Sequence, residues 1–243
     1  MIDIRIMAHP KRRDLVMALL RRLGRNDDIV TWDDRPRGGD AQYTSRLTWL
    51  QPMPPGAMHR LVLQDDADVC DDFTAIVERA ARAHPDAIMT FFHTGMRFSD
   101  RKVHSPYVLL PGANIHGVAI MMHAGLIGPC HDWIARYLGE AYPHNDRAIG
   151  EFALADRVKC ITTVPSICQH LCAMDSILDP QDHNGWDKVA TTYRRDVAGE
   201  NWDSRDLTIH RNVRYKVYWG KHHYPHKDYH SPGEPRWRGA QGA

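Results

Sequence analysis

The sequence predicts an α/β fold, in which helices flank a mostly parallel central sheet. Residues 2–8 alternate as a strand does, residues 12–23 repeat their apolar side chains at helical spacing, and residues 28–32 form a second strand. Strand, helix and strand in this order make a right-handed parallel unit. Residues 61–63 are apolar throughout, as in a strand that is buried on both faces. Ligands of such sheets bind beyond the carboxyl ends of the strands.

Length and composition predict one large domain, or one domain with a tail. The chain has 243 residues, of which 43% are hydrophobic and 25% charged, and its net charge of +1 favours neither nucleic acid nor membrane globally. It has no apolar run long enough for a membrane span and no signal-peptide pattern. The five cysteines include no Cys-x-x-Cys pair, which fits reduced thiols. We therefore expect a cytoplasmic protein.

The rest of the chain continues to alternate between strands and helices. A helix begun near Arg12 is predicted to end at Gly24, with its arginines facing solvent. Residues 93–110 are polar, basic and irregular, and we assign them a role in binding an acceptor. Further strands are predicted over 87–92, 117–122 and 158–164, and further helices over 40–50, 72–84, 132–138 and the stretch after the N-cap Asn145.

The buried strand ends in three carboxylates, those of Asp65, Asp66 and Asp68. Clustered carboxylates repel one another and lose solvation, and a divalent cation relieves both costs. Oxygen ligands suit Mg²⁺ or Mn²⁺. In an extended chain Gln64, Asp66 and Asp68 point one way and Asp65 the other, so we predict that Asp66 and Asp68 bind the ion. The alternative is that these residues form an ordinary turn or helix cap.

Other polar residues are expected at the same edge of the sheet. His9 ends the first strand, and Asp33 and Asp34 follow the second. A carboxylate after the second strand can hold a ribose hydroxyl, although both residues would also serve in an exposed loop. Arg46 is carried by the predicted helix over 40–50. The residues predicted to bind a nucleotide cofactor or donor are His9, Asp33, Asp34, Arg46, Gln64 and Asp65.

A second motif follows the last predicted strand, in the segment Pro165-Ser166-Ile167-Cys168-Gln169-His170-Leu171-Cys172. In an extended segment Cys168, His170 and Cys172 share a face. Three ligands so close on one strand do not easily surround a tetrahedral zinc ion, and a lone histidine is usually structural.

Together these motifs resemble those of GT-A glycosyltransferases. The stretch from Gln64 to Asp68 is similar to the acidic metal motif of that family, and the segment from Pro165 to Leu171, with Ser176, looks like its later "P-S-L-x-Q-H" segment. The stretch His144-Asn145-Asp146-Arg147 before an amphipathic helix is similar to its acidic catalytic element. The order and spacing match over residues 2–178. Gln64, Asn145 and Cys172 depart from the family pattern.

The resemblance implies a GT-A (Rossmann-like) fold and a sugar-transfer reaction. It implies that His170 joins Asp66 and Asp68 in binding Mn²⁺ or Mg²⁺, and that Asp146 is the catalytic base of an inverting enzyme. The expected donor is a nucleotide sugar, with a UDP-sugar favoured. The expected acceptor is a hydroxyl group of a glycan, a small molecule or a modified DNA base. A metal-dependent nucleotidyltransferase or phosphotransferase, or a binding module with a degenerate site, are the alternatives.

The predicted domains are a catalytic domain over 1–179 and a C-terminal extension over 180–243. Within the first, residues 1–92 are expected to bind the donor and residues 93–179 to carry the acceptor and catalytic groups. Residues 205–243 contain eight Lys or Arg and three acids, a net charge of 8 − 3 = +5, interleaved with six aromatic residues. Such a composition can bind nucleic acid, or it can simply form an extension.

Overall fold

A computed structural model describes residues 1–35, 41–94, 105–110, 115–139, 142, 144–171, 190 and 192–209. The predicted α/β class with helices flanking a central sheet is confirmed. The strands are β1 Ile2–Ala8, β2 Val30–Trp32, β3 His59–Gln64, β4 Ala67–Val69, β5 Ile88–Thr90, β6 Tyr107–Leu109, β7 Ala119–His123, β8 Cys160–Thr163, β9 Cys168–His170 and β10 Thr208–Ile209. The helices are α1 Arg13–Leu23, α2 Ala41–Leu50, α3 Phe73–Ala83, α4 Ala124–Tyr137 and α5 Asn145–Ala155.

The main sheet has eight strands in the order β10-β6-β8-β5-β7-β3-β1-β2. It is mixed, because four neighbouring pairs are parallel and three are antiparallel. The predicted parallel unit of β1, α1 and β2 is present, and β3 lies parallel to β1 on its other side. Gly24 ends α1 as expected, with a left-handed φ of 60° that glycine adopts without strain.

The topology brings several polar segments to one edge of the sheet. In the parallel registers Ala8 lies opposite Trp32 and Met7 opposite Gln64, so that the segments after β1, β2 and β3 leave the sheet together. Strand β7 runs antiparallel to β3, so β7 begins at this same edge and the segment before it lies there. The expectation that His9, Asp33 and the acidic stretch line one edge is confirmed.

The core lies on both faces of the main sheet, as the pleat of β3 illustrates. Leu61 and Leu63 belong to the cluster formed with α1 and α3, while Val62 between them belongs to the cluster formed with α2, α4 and α5. Successive side chains of a strand point to opposite faces, so an uninterrupted apolar run is what a strand covered on both sides requires.

A second, two-stranded sheet carries the two predicted motifs. Strands β4 and β9 pair antiparallel, with Ala67 opposite His170 and Val69 opposite Cys168. This small sheet starts where the chain leaves β3, and it brings residues far apart in sequence to the same place.

The predicted domain boundary at 179/180 is not where the compact unit ends. That unit runs from Met1 to Arg211. Strand β10 is the edge strand of the main sheet, the Trp202 side chain is 1% exposed in the core, and the Tyr107 hydroxyl donates to the Trp202 carbonyl at 2.6 Å. The sequence did not indicate that the residues up to 209 belong to this unit, because short irregular segments pack without a repeating apolar pattern. Residues 210–243, which hold most of the predicted basic tail, lie outside the described residues.

Within the described ranges, every helix is too short or too polar to cross a lipid bilayer.

Candidate active site

The site is built on a tight turn at the end of β3. Asp65 and Asp66 form that turn, and they are only 7% and 3% exposed. The predicted extended geometry is wrong at this point, because the chain turns before it enters β4. Asp66 and Asp68 therefore do not share a face as alternate residues of one strand would.

Arg12 lies against both carboxylates of the turn. Its Nη1 donates to Asp65 Oδ1 at 2.8 Å and also to Asp66 Oδ2. The backbone N–H of His9 donates to Asp65 Oδ2 at 2.8 Å. The prediction that the arginines of the first helix face solvent is wrong for Arg12, whose side chain is 11% exposed. It precedes α1 beside the acidic turn, and a pair of buried carboxylates needs a nearby cation.

The two carboxylates differ in their electrostatic surroundings. Burial and the adjacent charge of Asp66 raise the pKa of Asp65 above its usual value. Burial acts in the same direction on Asp66, but the hydrogen bond and charge of His170, together with Arg12, hold the pKa of Asp66 below its usual value. Asp66 therefore ionises more readily than Asp65.

His170 reaches Asp66 from β9, as the resemblance implied. Its Nε2 lies 3.0 Å from Asp66 Oδ2, and the backbone N–H of Leu171 donates to the Asp66 carbonyl at 2.8 Å. The antiparallel register of β4 and β9 fixes this meeting, because it places Ala67 opposite His170. An imidazole and a carboxylate from distant parts of the sequence are thus side by side.

Asp68, the other predicted metal ligand, lies among cationic and hydroxyl groups. Arg22 Nη1 donates to Asp68 Oδ1 at 2.7 Å, and Arg195 Nη2 and the Tyr193 hydroxyl donate to Oδ2 at 3.0 and 3.2 Å. Arg22 lies on the exposed face of α1, as predicted, and it forms this ion pair from there. In this arrangement Asp68 fastens the segment after residue 190 to the small sheet.

Asp66 and His170 have the donor atoms that a divalent cation requires. Asp66 Oδ1 is buried and makes no hydrogen bond within the described part of the chain. Buried carboxylate oxygens normally have a hydrogen-bond donor or a cation as partner. A cation beside His170 Nε2 would supply that partner. No group of three or more His, Cys, Asp or Glu side chains in the described ranges is arranged around a metal position. Asp66 and His170 would thus be two protein ligands of such an ion, and its other positions would be open to water or phosphate oxygens.

The side chains of Asp146 and Gln64 both approach Gly117, which lies in the segment before β7. A Cβ atom on Gly117 would lie 3.0 Å from Gln64 Nε2 and 3.4 Å from Asp146 Cβ, so a larger residue there would require Gln64 or Asp146 to shift. The Gly117 N–H donates to Asp146 Oδ2 at 3.1 Å, and the Arg147 N–H donates to Oδ1 at 2.8 Å. The predicted base is therefore in the first turn of α5, next to the end of β3. The N-cap of that helix is His144, one residue before the predicted Asn145.

The remaining predicted nucleotide-binding residues differ in accessibility. His9 takes part through its backbone, and its Nδ1 accepts from the Lys11 N–H at 3.2 Å. Asp33 is buried and accepts from the Arg35 N–H at 3.2 Å, whereas Asp34 is exposed. Although burial opposes it, the hydrogen bonds and charge of Arg35 hold the pKa of Asp33 below its usual value.

Arg46 lies on α2, on the side that faces α4. Burial first, and then the positive charge of Arg46, lower the pKa of His131 in α4 to about 4. The proximity of Arg46 to His131 could not be predicted from the sequence, because the two residues are far apart along the chain.

A row of aromatic rings extends from His170, which the sequence did not reveal. The ring of Phe92 lies 6.2 Å from that of His170 and 5.8 Å from that of His116, and the ring of His93 lies 4.9 Å from that of His116. His93 is 3% exposed, and neither of its ring nitrogens has a hydrogen-bond partner within the described residues. Within the loop predicted to bind the acceptor, residues 95–104 lie outside the described residues, as do Cys172 and Ser176.

Two buried histidines are expected to make the fold sensitive to acid. Burial, followed by the charge of His116, lowers the pKa of His93 to about 3, and that of His131 is about 4. The unfolded chain has histidine pKa values near 6.5, so it binds protons below that pH that the folded protein does not. Stability is therefore unaffected above about pH 7 and is lost as the pH falls toward these two values. We expect each histidine to lower the free energy of unfolding by about 2 kcal/mol between pH 7 and 5.

Urea denaturation across this pH range measures the effect. The variant His93→Phe should lose about half of the pH dependence that the two histidines cause. His144→Gln, at an exposed position, is the matched control and should retain all of it. An unchanged slope in His93→Phe would show that His93 is not neutral in the fold.

The later motif also anchors the segment that follows it. Gln169 Oε1 accepts from the Ala190 N–H at 2.8 Å, and the Ser166 N–H donates to Thr192 Oγ1 at 3.1 Å. Ser166 and Gln169 thus have structural partners, while His170 faces the acidic turn. No known protein family matches the chain, and no curated protein matches it.

Proposed function

We propose that this protein is a glycosyltransferase that moves a sugar from a nucleotide-sugar donor to a hydroxyl acceptor, with a divalent cation bound by Asp66 and His170. The observation that carries the proposal is the 3.0 Å approach of His170 Nε2 to Asp66 Oδ2 at the edge where β1, β2 and β3 end. Ligands of α/β sheets bind at this edge. The resemblance implies that these two residues lie close together, whereas nothing in the sequence around either residue indicates it.

The chain's own residues have separable tasks in this proposal. Asp66 and His170 would hold Mn²⁺ or Mg²⁺, which supplies Lewis-acid stabilisation of the charge that develops on a departing diphosphate. Asp33 and the segment at His9 would bind the nucleoside, with Asp33 accepting from a ribose hydroxyl. Gln64 and Asp65 lie between that position and Gly117, and so would contact the diphosphate or the sugar.

Asp146 is the proposed general base. A hydroxyl acceptor is a weak nucleophile, and removal of its proton as it attacks the anomeric carbon lowers the barrier. Two backbone N–H groups orient the Asp146 carboxylate beside Gly117 and Gln64. Attack assisted by such a base, directly opposite the leaving diphosphate, gives inversion. A UDP-sugar donor, a cytoplasmic location and an acceptor on a glycan, small molecule or modified DNA base remain predictions of the same proposal.

The first experiment is a thermal-shift screen of UDP-, GDP- and dTDP-sugars with and without Mn²⁺, because ligands of the folded form raise its melting temperature. We expect one nucleotide class to stabilise the protein more with Mn²⁺ than without it. Incubation with that donor should then release the nucleoside diphosphate slowly. Release of pyrophosphate from a nucleoside triphosphate instead would identify a nucleotidyltransferase and overturn the proposal.

The variant Asp66→Asn tests the site itself. It keeps the size of the side chain and removes the charge, so it should abolish the part of the stabilisation that depends on Mn²⁺. Asp71→Asn, at an exposed carboxylate a few residues away, is the matched control and should behave as the unmodified protein does. Equal Mn²⁺ responses in Asp66→Asn and Asp71→Asn would exclude Asp66 as a ligand.

A further inference from the structure

The acidic turn already holds a cation, the guanidinium of Arg12. One atom of Arg12, Nη1, contacts Asp65 Oδ1 and Asp66 Oδ2. The same Asp66 Oδ2 lies 3.0 Å from His170 Nε2, whereas Asp66 Oδ1 has no hydrogen-bond partner in the described ranges. The Arg12 side chain is 11% exposed, and those of Asp65 and Asp66 are 9% and 4% exposed, so solvent screens these contacts weakly.

A metal ion bound by Asp66 and His170 would share Asp66 with this guanidinium. Two cations on one buried carboxylate repel each other, and the repulsion is strong where water is excluded. The bond from Arg12 to Asp66 therefore opposes metal binding as long as it persists.

Asp65 gives Arg12 a second anchor that survives the loss of the first. Its Oδ2 is fixed by the His9 N–H at 2.8 Å, while its Oδ1 accepts from Arg12 at 2.8 Å. A guanidinium has five N–H donors in a fork that matches phosphate oxygens. Arg12 can thus keep its bond to Asp65 and donate to a phosphate the Nη1 N–H that Asp66 releases.

We infer that Arg12 is an exchange cation, which occupies Asp66 until metal and donor arrive and then binds the diphosphate of the donor. The inference rests on the proposed function and adds a positioning residue to it, specific for ligands that contain a diphosphate. It explains how a buried acidic pair is kept neutralised before the metal binds. Arg12 also links the two binding events, because the phosphate draws the guanidinium away from the carboxylate that the metal uses.

Manganese binding without any nucleotide tests the exchange. Titration of Mn²⁺ followed by electron paramagnetic resonance measures free ion directly and needs no activity. In Arg12→Gln we expect Mn²⁺ to bind about tenfold tighter or more, because a competing positive charge is gone. UDP without metal should bind about tenfold more weakly to this variant, as measured by calorimetry, because a charged phosphate contact is lost.

Two further variants complete the test. Arg21→Gln removes an arginine from the exposed face of α1 and should leave both affinities unchanged. Arg12→Lys keeps the charge without the forked donors, and should bind Mn²⁺ as the unmodified protein does but UDP more weakly. It also serves if Arg12→Gln does not fold, which circular dichroism reveals.

The outcomes separate this inference from the proposed function. Tighter Mn²⁺ binding in Arg12→Gln, lost again when Asp66→Asn is added, supports the exchange even if no nucleotide sugar is a substrate. Unchanged or weaker Mn²⁺ binding in Arg12→Gln overturns the exchange, and it does so even if the protein transfers sugar. Unchanged UDP affinity in both Arg12 variants would equally exclude the diphosphate contact.

Discussion

Replacement of Asp146 by asparagine is expected to lower the rate of the proposed sugar transfer by about 10²- to 10⁴-fold, the usual contribution of a general base. An asparagine has nearly the same shape, and its amide oxygen can still accept from the Gly117 N–H that now lies 3.1 Å from Asp146 Oδ2. It has no basic oxygen to receive the acceptor's proton. Turnover should therefore fall while the affinities for Mn²⁺ and nucleoside diphosphate, measured by calorimetry, stay near those of the unmodified protein.

The same helix offers a matched control. Asp156 is exposed and follows the last residue of α5, so Asp156→Asn removes one negative charge from α5 without approaching the site. Its turnover should be unchanged. If Asp146→Asn retained most of its turnover, or if nuclear magnetic resonance showed retained configuration at the anomeric carbon of the product, Asp146 would not be the base of an inverting reaction.

Elements with regular apolar spacing could be predicted from the sequence, and irregular ones could not. Helix α1 and strand β3 appear where their apolar repeats predicted them. Helix α4 begins at Ala124, eight residues before the predicted start at Asp132, although Gly125, Gly128 and Pro129 disfavour helix. Tertiary packing overrides this weak propensity, since Ile127 and Cys130 are buried against the sheet. Strand β6 lies within the basic stretch over 93–110, which was predicted to be irregular, and here too tertiary packing overrides the local sequence signal.

The local sequence could predict which kind of chemistry the site would perform, but it could not predict which residues pair with the acidic side chains. The acidic stretch predicted the need for a cation, and the fold supplies one from Arg12, which helical spacing alone had assigned to solvent. The predicted extended geometry of Asp66 and Asp68 is wrong because the groups that hold the turn, the His9 N–H, Arg12 and His170, come from distant parts of the sequence. Tertiary partners depend on long-range contacts, and a single sequence contains no direct signal for those.

Arg60 is expected to give the largest stability effect of any single side chain considered. It is 0% exposed, and its Nε donates to Asp3 Oδ2 at 2.7 Å. Its Nη1 also donates to the backbone carbonyls of Trp49 at 2.5 Å and Gln51 at 2.7 Å, which fastens the end of α2 to β3. Arg60→Met should lower the free energy of unfolding by about 3–5 kcal/mol, because several buried carbonyls lose their donor and the buried Asp3 carboxylate keeps only Arg5 as its cation.

Urea denaturation with the double variant of Arg60 and Asp3 separates charge from packing. Asp3→Asn should also destabilise, because it leaves a buried guanidinium without its anion, and Asp3→Asn with Arg60→Met should cost less than the sum of the two single changes. Arg25→Met, at an exposed position after α1, is the control and should change stability by about 0.5 kcal/mol or less. A loss below about 1 kcal/mol in Arg60→Met would mean that the buried pair contributes little, as happens where desolvation offsets the attraction. Additive losses would mean that Asp3 and Arg60 act independently, with the carbonyls of α2 as the partners that matter.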